Sequence, residues 1–250
     1  MPRADQLLVE RGLANSRSQA QRLIAAGVQW RVGQQGWQHV DKNGAVLPQD
    51  AELWLQDDAE TRFVSRGGLK LEGALRATGL QVKEWSCLDV GQSTGGFTDC
   101  LLQQGAAKVT GVDVGHGQLH PRLRTDPRVV CIEHSNAREL TLALLGQAHG
   151  FALIVADLSF ISLTLVLPAL QPLLSEHGHM LLLAKPQFEL QAIDIGKGGM
   201  VKDPAKYVQV EQRLRKAATD LDLQVVDWLP STIVGGDGNH EFFIHLRSSA

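Results

Sequence analysis

The stretch Cys87-Leu88-Asp89-Val90-Gly91-Gln92-Ser93-Thr94-Gly95-Gly96-Phe97-Thr98-Asp99 constrains the fold more than any other part of the chain. An apolar run ends beside an acid, turns through Gly91 and enters a helix at Gly95-Gly96. Glycine lets a backbone turn tightly or approach another group closely. Ser86–Val90 is therefore read as a strand. Apolar runs at Lys108–Asp113, Phe151–Ala156, His179–Ala184, Gln224–Leu229 and Glu241–Leu246 read the same way. Helices are expected between them, at Phe97–Gln104, Leu163–Leu174 and Pro204–Leu221. Such alternation makes an α/β fold, a doubly wound and mainly parallel sheet covered by helices. A third strand is expected ahead of Asn136, which completes a seven-stranded, Rossmann-like sheet. Only the glycine-rich segment Pro230–His240 separates the last two strands. It is too short for a helical crossover, so those strands are expected to pair antiparallel.

In a sheet of this kind ligands bind beyond the carboxyl ends of the strands, at the switch point. The second strand ends in Val112-Asp113, and an acid roughly 20 residues past a glycine loop accepts hydrogen bonds from ribose hydroxyls. Nicotinamide cofactors use the same architecture, but their G-x-G-x-x-G fingerprint is missing here, which disfavours an oxidoreductase. Asp89 near the loop would repel a pyrophosphate and suits the ammonium and sulfonium groups of S-adenosylmethionine. The expected cofactor residues are Asp89, Gly91, Gly95, Gly96, Phe97 and Asp113. Asn136, after the third strand, is a weaker candidate for a hydrogen bond to adenine.

Four further residues fall where chemistry belongs. Asp157 ends the fourth strand and Lys185 the fifth; Glu241 opens the reversed last strand, and Lys70 lies just before the core. A ribose hydroxyl gives up its proton only with help. A lysine serves as the base when burial or a second cation lowers its pKa. Lys70 beside Lys185 would do that, with Asp157 and Glu241 orienting both ammonium groups. Ordinary surface ion pairs are the bland alternative, but they do not account for a lysine directly after Leu182-Leu183-Ala184. Amino methyltransferases carry two prolines and an aromatic residue after the fourth-strand acid. Here the run is Asp157-Leu158-Ser159-Phe160, which favours oxygen over nitrogen as the acceptor. His116 and His120 flank Gly117 and precede Pro121, so they belong to a loop, and no metal site is expected.

The first 57 residues form a unit of their own. Helices are expected at Arg3–Arg11 and at Arg17–Ala26, the latter capped by Asn15 or Ser16, with short strands around Val28–Val32 and Glu52–Leu55. The helical half carries Arg3, Arg11, Arg17, Arg22 and Arg31 against Asp5 and Glu10. Its segments Arg3–Leu13 and Ser16–Ile24 resemble the ribosomal-protein-S-four-like RNA-binding module. That resemblance implies contacts from Arg3, Arg17 and Arg22 to RNA phosphates. Residues 58–62, within an acidic patch, are expected to be a linker to a catalytic domain at 63–250. The net charge of −3 gives the whole chain no basic footprint. No apolar run spans a bilayer and the start has no apolar leader, so a cytoplasmic protein without membrane partners is expected. The three scattered cysteines read as reduced thiols.

A wider resemblance rests on motifs along nearly the whole chain. They are Val64–Lys70, Ser93–Asp99, Val112–Leu119, Asp157–Ser162, Lys185–Glu189 and Gly198–Pro204. These segments resemble the TlyA (hemolysin A-like) family, ribosomal RNA cytidine-2′-O-methyltransferases with an FtsJ/RrmJ-like catalytic domain. The resemblance implies S-adenosyl-L-methionine as methyl donor and ribosomal RNA or ribosomal subunits as partner. It also implies a catalytic tetrad of Lys70, Asp157, Lys185 and Glu241, and adds Asn136 to the cofactor residues. Gln92 departs from the family's small residue in the glycine loop and is expected to crowd the cofactor. Two rival readings are an RNA-binding regulator with an inactive catalytic domain and a membrane-active hemolysin. The complete tetrad disfavours the first, and the lack of an apolar span or a strongly amphipathic basic stretch disfavours the second.

Overall fold

The structure, a computed structural model, describes residues 1–14, 16–55 and 62–248. The chain divides into two compact units, Met1–Arg66 and Gly67–Ala250. In the first, α1 (Ala4–Glu10) packs against α2 (Arg17–Gly27). The cap of α2 falls on Ser16, whose hydroxyl accepts the Gln19 N–H at 3.2 Å; Asn15 and most of the expected linker lie outside the described residues. β1 (Val28–Arg31), β2 (Gln38–His39) and β3 (Glu52–Leu55) form an antiparallel sheet in the order β2-β1-β3. Leu7, Leu8, Leu23 and Val28 close its core.

The arginines of this unit are largely engaged within it. Asp5 is buried and accepts hydrogen bonds from Arg3 at 3.0 Å, Arg17 at 3.1 Å and Gln21 at 3.3 Å. These donors, Arg3 foremost, hold its carboxyl far below the usual carboxylate range. Arg11 donates to the carbonyls of Gln49 and Ala51.

The second unit opens with α3 (Gly67–Thr78), a helix absent from the sequence reading, and Lys70 sits on it. There follow β4 (Ser86–Val90), α4 (Gly96–Gln103), β5 (Lys108–Val112), α5 (Pro121–Arg124), β6 (Val129–Ile132) and β7 (Phe151–Ala156). Next come α6 (Leu167–Leu170), β8 (Leu174–Ala184), α7 (Pro186–Glu189), α8 (Pro204–Thr219), β9 (Leu223–Pro230) and β10 (Phe242–Ser248). The single helix expected at Leu163–Leu174 is instead broken into a 3-10 turn, the short α6 and a second 3-10 turn. Pro168 and Pro172 each remove a backbone donor and forbid the i to i−4 ladder.

The sheet order is β6-β5-β4-β7-β8-β10-β9, so the strand order reverses between β4 and its parallel neighbour β7. β10 alone runs antiparallel to its two neighbours, as expected from the short connection before it. Leu88, Val90, Ile154, Leu182 and Ile244 lie at the centre of the core between sheet and helices.

The turn from β4 into α4 is held from inside. Asp89 is buried, and its Oδ2 accepts the Thr98 N–H at 3.0 Å and the Thr98 hydroxyl at 2.7 Å. Gln92 is buried too and donates to Thr98 Oγ1 at 2.9 Å. Its amide lies over Gly111, where a Cβ would come within 2.0 Å of it. The expectation that Gln92 crowds the cofactor is therefore corrected: the side chain turns under the sheet, into space left by a glycine in β5.

At the sheet edge opposite the glycine loop, His179 on β8 meets His245 on β10, with Nδ1 to Nε2 at 3.0 Å. Trp85 lies parallel to the His179 ring. Burial, then His179 and Arg247, push the His245 pKa down to about 4, against a smaller opposing effect of Asp227.

Two predictions follow from these packings. The unfolded chain binds a proton at His245 near its ordinary pKa, whereas the native protein binds it only near pH 4. This contribution to stability is complete above about pH 6.5 and is lost as pH falls. Wild type should lose about 2 kcal/mol more between pH 7 and pH 5 than His245→Gln, measured by urea unfolding; parallel losses in the two proteins contradict the assignment. Gly111→Ala should cost about 1–3 kcal/mol by displacing the Gln92 amide. In a Gln92→Ser background the same change should cost far less, and equal costs in both backgrounds would show that the two sites are uncoupled.

Candidate active site

Sheet register decides which strand-end residues meet. Val90 pairs with Val112 and with Ala156, so the residues immediately beyond, Gly91, Asp113 and Asp157, come level at the carboxyl edge. All three line a cavity of about 640 Å³. Gly91 has φ 83°, and a Cβ there would sit 2.7 Å from the Asp157 carbonyl oxygen. Only glycine lets the β4 loop pass the β7 loop this closely.

Asp113 is fixed by two backbone donors, Ser93 N–H to Oδ2 and Gly115 N–H to Oδ1, both at 2.7 Å. A carboxylate has about four lone-pair sites, so acceptor capacity remains on each oxygen. Asn136 also lines the cavity. Its Oδ1 accepts the Arg138 N–H at 3.0 Å and its Nδ2 donates to Glu139 at 3.1 Å, so a ligand would meet one remaining N–H and one lone pair. Val114, Ala137, Leu158 and Ile161 supply the apolar wall, and Ser93, Ser135 and Ser159 add polar groups that sequence reasoning missed.

Four expected cofactor residues stand behind this wall. Asp89 is inside the sheet, and burial pushes its carboxyl up to about 7; Asp157 and Asp113 add to the rise, while the Thr98 bonds oppose it. Gly95 has φ 94°, and a Cβ there would meet Leu123 at 2.4 Å, so its bareness serves packing against α5. Gly96 is buried in the first turn of α4, and Phe97 stacks on Phe243 at 6.0 Å in the core.

The four expected catalytic residues form two ion pairs. Lys185 Nζ is 2.6 Å from Asp157 Oδ1 and donates to Ser159 Oγ at 3.0 Å. Lys70 Nζ is 2.6 Å from Glu241 Oε2. Phe242 pairs with Ala184, so Glu241 and Lys185 are the next residues outward on adjacent strands. α3 reaches the same loop through Thr232, whose hydroxyl donates to the Leu69 carbonyl. Each lysine thus has its own carboxylate. The pairs differ in exposure: side chains of Lys70 and Glu241 are 9% and 3% exposed, those of Lys185 and Asp157 11% and 23%.

Next to Ser159 in the chain, Phe160 also lines the cavity and was missed. It has φ 64°, is 91% exposed, and packs on Phe188 at 5.1 Å. An aromatic residue in the left-handed region is strained, and no sequence signal announces that conformation. His116 stacks on His134 and His120 caps α5, and no metal-holding cluster occurs among the described residues.

Comparisons with known proteins agree with this geometry. Residues 63–248 match the FtsJ-like methyltransferase family. The 16S/23S rRNA (cytidine-2′-O)-methyltransferase TlyA of Mycobacterium tuberculosis is 45% identical over 98% of this chain and 90% of its own length. Hemolysin A of Brachyspira hyodysenteriae is 37% identical over 98% of this chain and 99% of its own length. Among solved structures, a hemolysin-like protein of Streptococcus thermophilus superposes with a TM-score of 0.76 at 39% identity, covering 99% of this chain and 88% of that one. With its strand-end register, its paired lysines and carboxylates, and relatives matched along almost its full length, the chain belongs to the TlyA family of FtsJ-like methyltransferases.

Proposed function

We propose that this protein transfers a methyl group from S-adenosyl-L-methionine to the 2′-hydroxyl of a cytidine in ribosomal RNA, with Lys185 as the general base. The observation that carries the reading is the place of Lys185 at the end of β8, ion-paired with Asp157 and hydrogen-bonded to Ser159, both of which line the strand-end cavity. The nucleotide and the RNA class come from the tuberculosis relative, whose name states that activity.

The cavity fits the donor. Its size is in the range of small-molecule sites. Asp113 offers carboxylate lone pairs to a ribose diol, Val114, Ala137 and Leu158 offer apolar faces to a purine, and Asn136 offers a donor and an acceptor. Gly91 keeps the β4 and β7 loops close, and Asp89, Gly95, Gly96 and Phe97 support that loop from behind. When bound, S-adenosylmethionine supplies an electrophilic methyl group and leaves as a neutral thioether.

The residues of this chain manage the acceptor. Lys185, in its unprotonated form, takes the hydroxyl proton as the oxygen bonds to the methyl carbon. The ammonium it becomes is stabilised by Asp157 at 2.6 Å, and Ser159 fixes its direction. Lys70, held by Glu241, steadies negative charge on the acceptor oxygen. Phe160 and Phe188 present an aromatic surface against which the target base can stack. In the amino-terminal unit, the side chains of Arg3 and Arg17 are 46% and 54% exposed although both hold Asp5. Their outer faces, with Arg22, are the proposed phosphate contacts. No helix among the described residues is long and apolar enough to cross a membrane, and the proposed site of action is the cytoplasm, where ribosomes are.

Lys185→Met keeps the bulk and removes the base, so single-turnover methylation of ribosomal RNA at saturating substrate should fall at least about 100-fold. A raised KM with an intact rate would instead make Lys185 a phosphate contact and overturn the base assignment. Asp113→Ala should weaken S-adenosylmethionine binding at least about tenfold by calorimetry, from loss of charge-assisted hydrogen bonds. Unchanged affinity in a folded variant removes Asp113 from the site.

A further inference from the structure

The segment Lys185-Pro186-Gln187-Phe188-Glu189 places a base on the site, and the mechanism leaves its buried acid unused. Glu189 takes two hydrogen bonds from the segment that follows β7. Ser162 Oγ donates to Oε2 at 2.5 Å, and the Leu163 N–H donates to Oε1 at 2.7 Å. Its own carbonyl accepts from Arg213 on α8. Burial pushes its carboxyl up, against the opposing pull of Ser162, Leu163 and Arg213. A carboxylate is costly to bury, so its place calls for an account.

The contacts close a ring. From Lys185 the chain runs through α7 to Glu189, whose carboxylate crosses to Ser162. From Ser162 the chain runs back to Ser159, which accepts a hydrogen bond from Lys185 Nζ, and to Asp157, which is ion-paired with it. Each strand-end loop is thus joined to the other twice, once by the catalytic ion pair and once by Glu189. Gln187 extends the same bracing to the loop that leads into Glu241, donating to Asp237 at 2.9 Å.

We infer that Glu189 is a positioning residue that holds the Asp157–Phe160 loop against Lys185 and so sets the direction of the base. The inference rests on the proposed methyl transfer for its kinetic readout and on the structure alone for its mechanical one. A displacement of about 1 Å in a catalytic group costs on the order of 100-fold in rate, so loosening one side of the ring is expected to lower turnover.

The test compares Glu189→Ala, Glu189→Gln and wild type on isolated ribosomal subunits with tritiated S-adenosylmethionine. Glu189→Ala should lower kcat about 30-fold at saturating S-adenosylmethionine. Glu189→Gln should recover most of the rate. Its carboxamide can accept from Leu163 and donate to Ser162 Oγ, which can turn its own hydrogen to Thr164 Oγ1 at 2.8 Å. Hydrogen–deuterium exchange should rise across residues 157–164 in the alanine variant alone, with residues 89–100 unchanged. An alanine variant with wild-type kcat and unchanged exchange overturns the inference, as does a glutamine variant no better than alanine. If Glu189→Ala does not fold, Ser162→Ala removes one of the two bonds and should lower kcat about fivefold; a wild-type rate there counts against the inference equally. Should wild type fail to methylate the subunits, the proposed activity fails, and the exchange arm still decides the positioning role.

Discussion

β10 runs against its neighbours, and through this reversal the beginning of one strand arrives at the edge where β4, β5, β7 and β8 end. A parallel strand in that place would send its first residue to the opposite edge, nearly 20 Å away for a strand of this length. Pairing of Phe242 with Ala184 then puts Glu241 next to Lys185 in the backbone, and Glu241 recruits Lys70 from α3. The acceptor side of the site is consequently a product of topology. No single loop contains it, and its four charged residues come from positions spread over most of the catalytic unit.

The same register argument sorts the acids. Asp89, Asp113 and Asp157 all read as strand-end residues, and the sequence offers no reason to treat them differently. In the sheet Asp89 pairs with Gly111 and Val155, one step inside the edge, whereas Asp113 and Asp157 lie one step beyond it. That two-residue offset leaves Asp89 buried, holding the first turn of α4, and leaves the other two facing the cavity. Burial of Asp89 and its bonds to Thr98 follow from the offset, as does the rise of its carboxyl to about 7.

Much of the fold was legible because alternation of apolar runs is a local signal, and the antiparallel end of the sheet followed from the length of one connection. The site was legible as far as residue type and strand end determine it, which gave Gly91, Asp113, Asp157, Lys185 and Glu241. Side-chain direction was not legible. Gln92 looked like an obstruction because it occupies the glycine loop, yet Gly111 on another strand gives it somewhere else to go. Arg3 and Arg17 looked like free cations because nothing in the sequence ties them to Asp5. α3 was missed because its start, Gly67-Gly68, has no capping signal and lowers helix propensity. Its burial of Lys70 and Leu71 shows tertiary packing overriding that weak start.

Burial of an ion pair is poor evidence of stabilisation, since desolvation often exceeds the attraction and an apolar replacement can be neutral. The Lys70–Glu241 pair is almost wholly buried, while Lys185–Asp157 keeps contact with the cavity. A fold under selection for stability alone has little use for the first pair. Beside the second it is intelligible, because a fixed cation in a poorly solvated place projects its potential toward the site with little screening. The two pairs therefore act at different depths. In the proposed reaction the outer pair holds the base that meets the acceptor, and the inner pair stands behind it. Since Lys70 is not free to reorient to the solvent, its place against Glu241 is built into the packing of α3 and, in the proposed reaction, does not have to be assembled when RNA arrives.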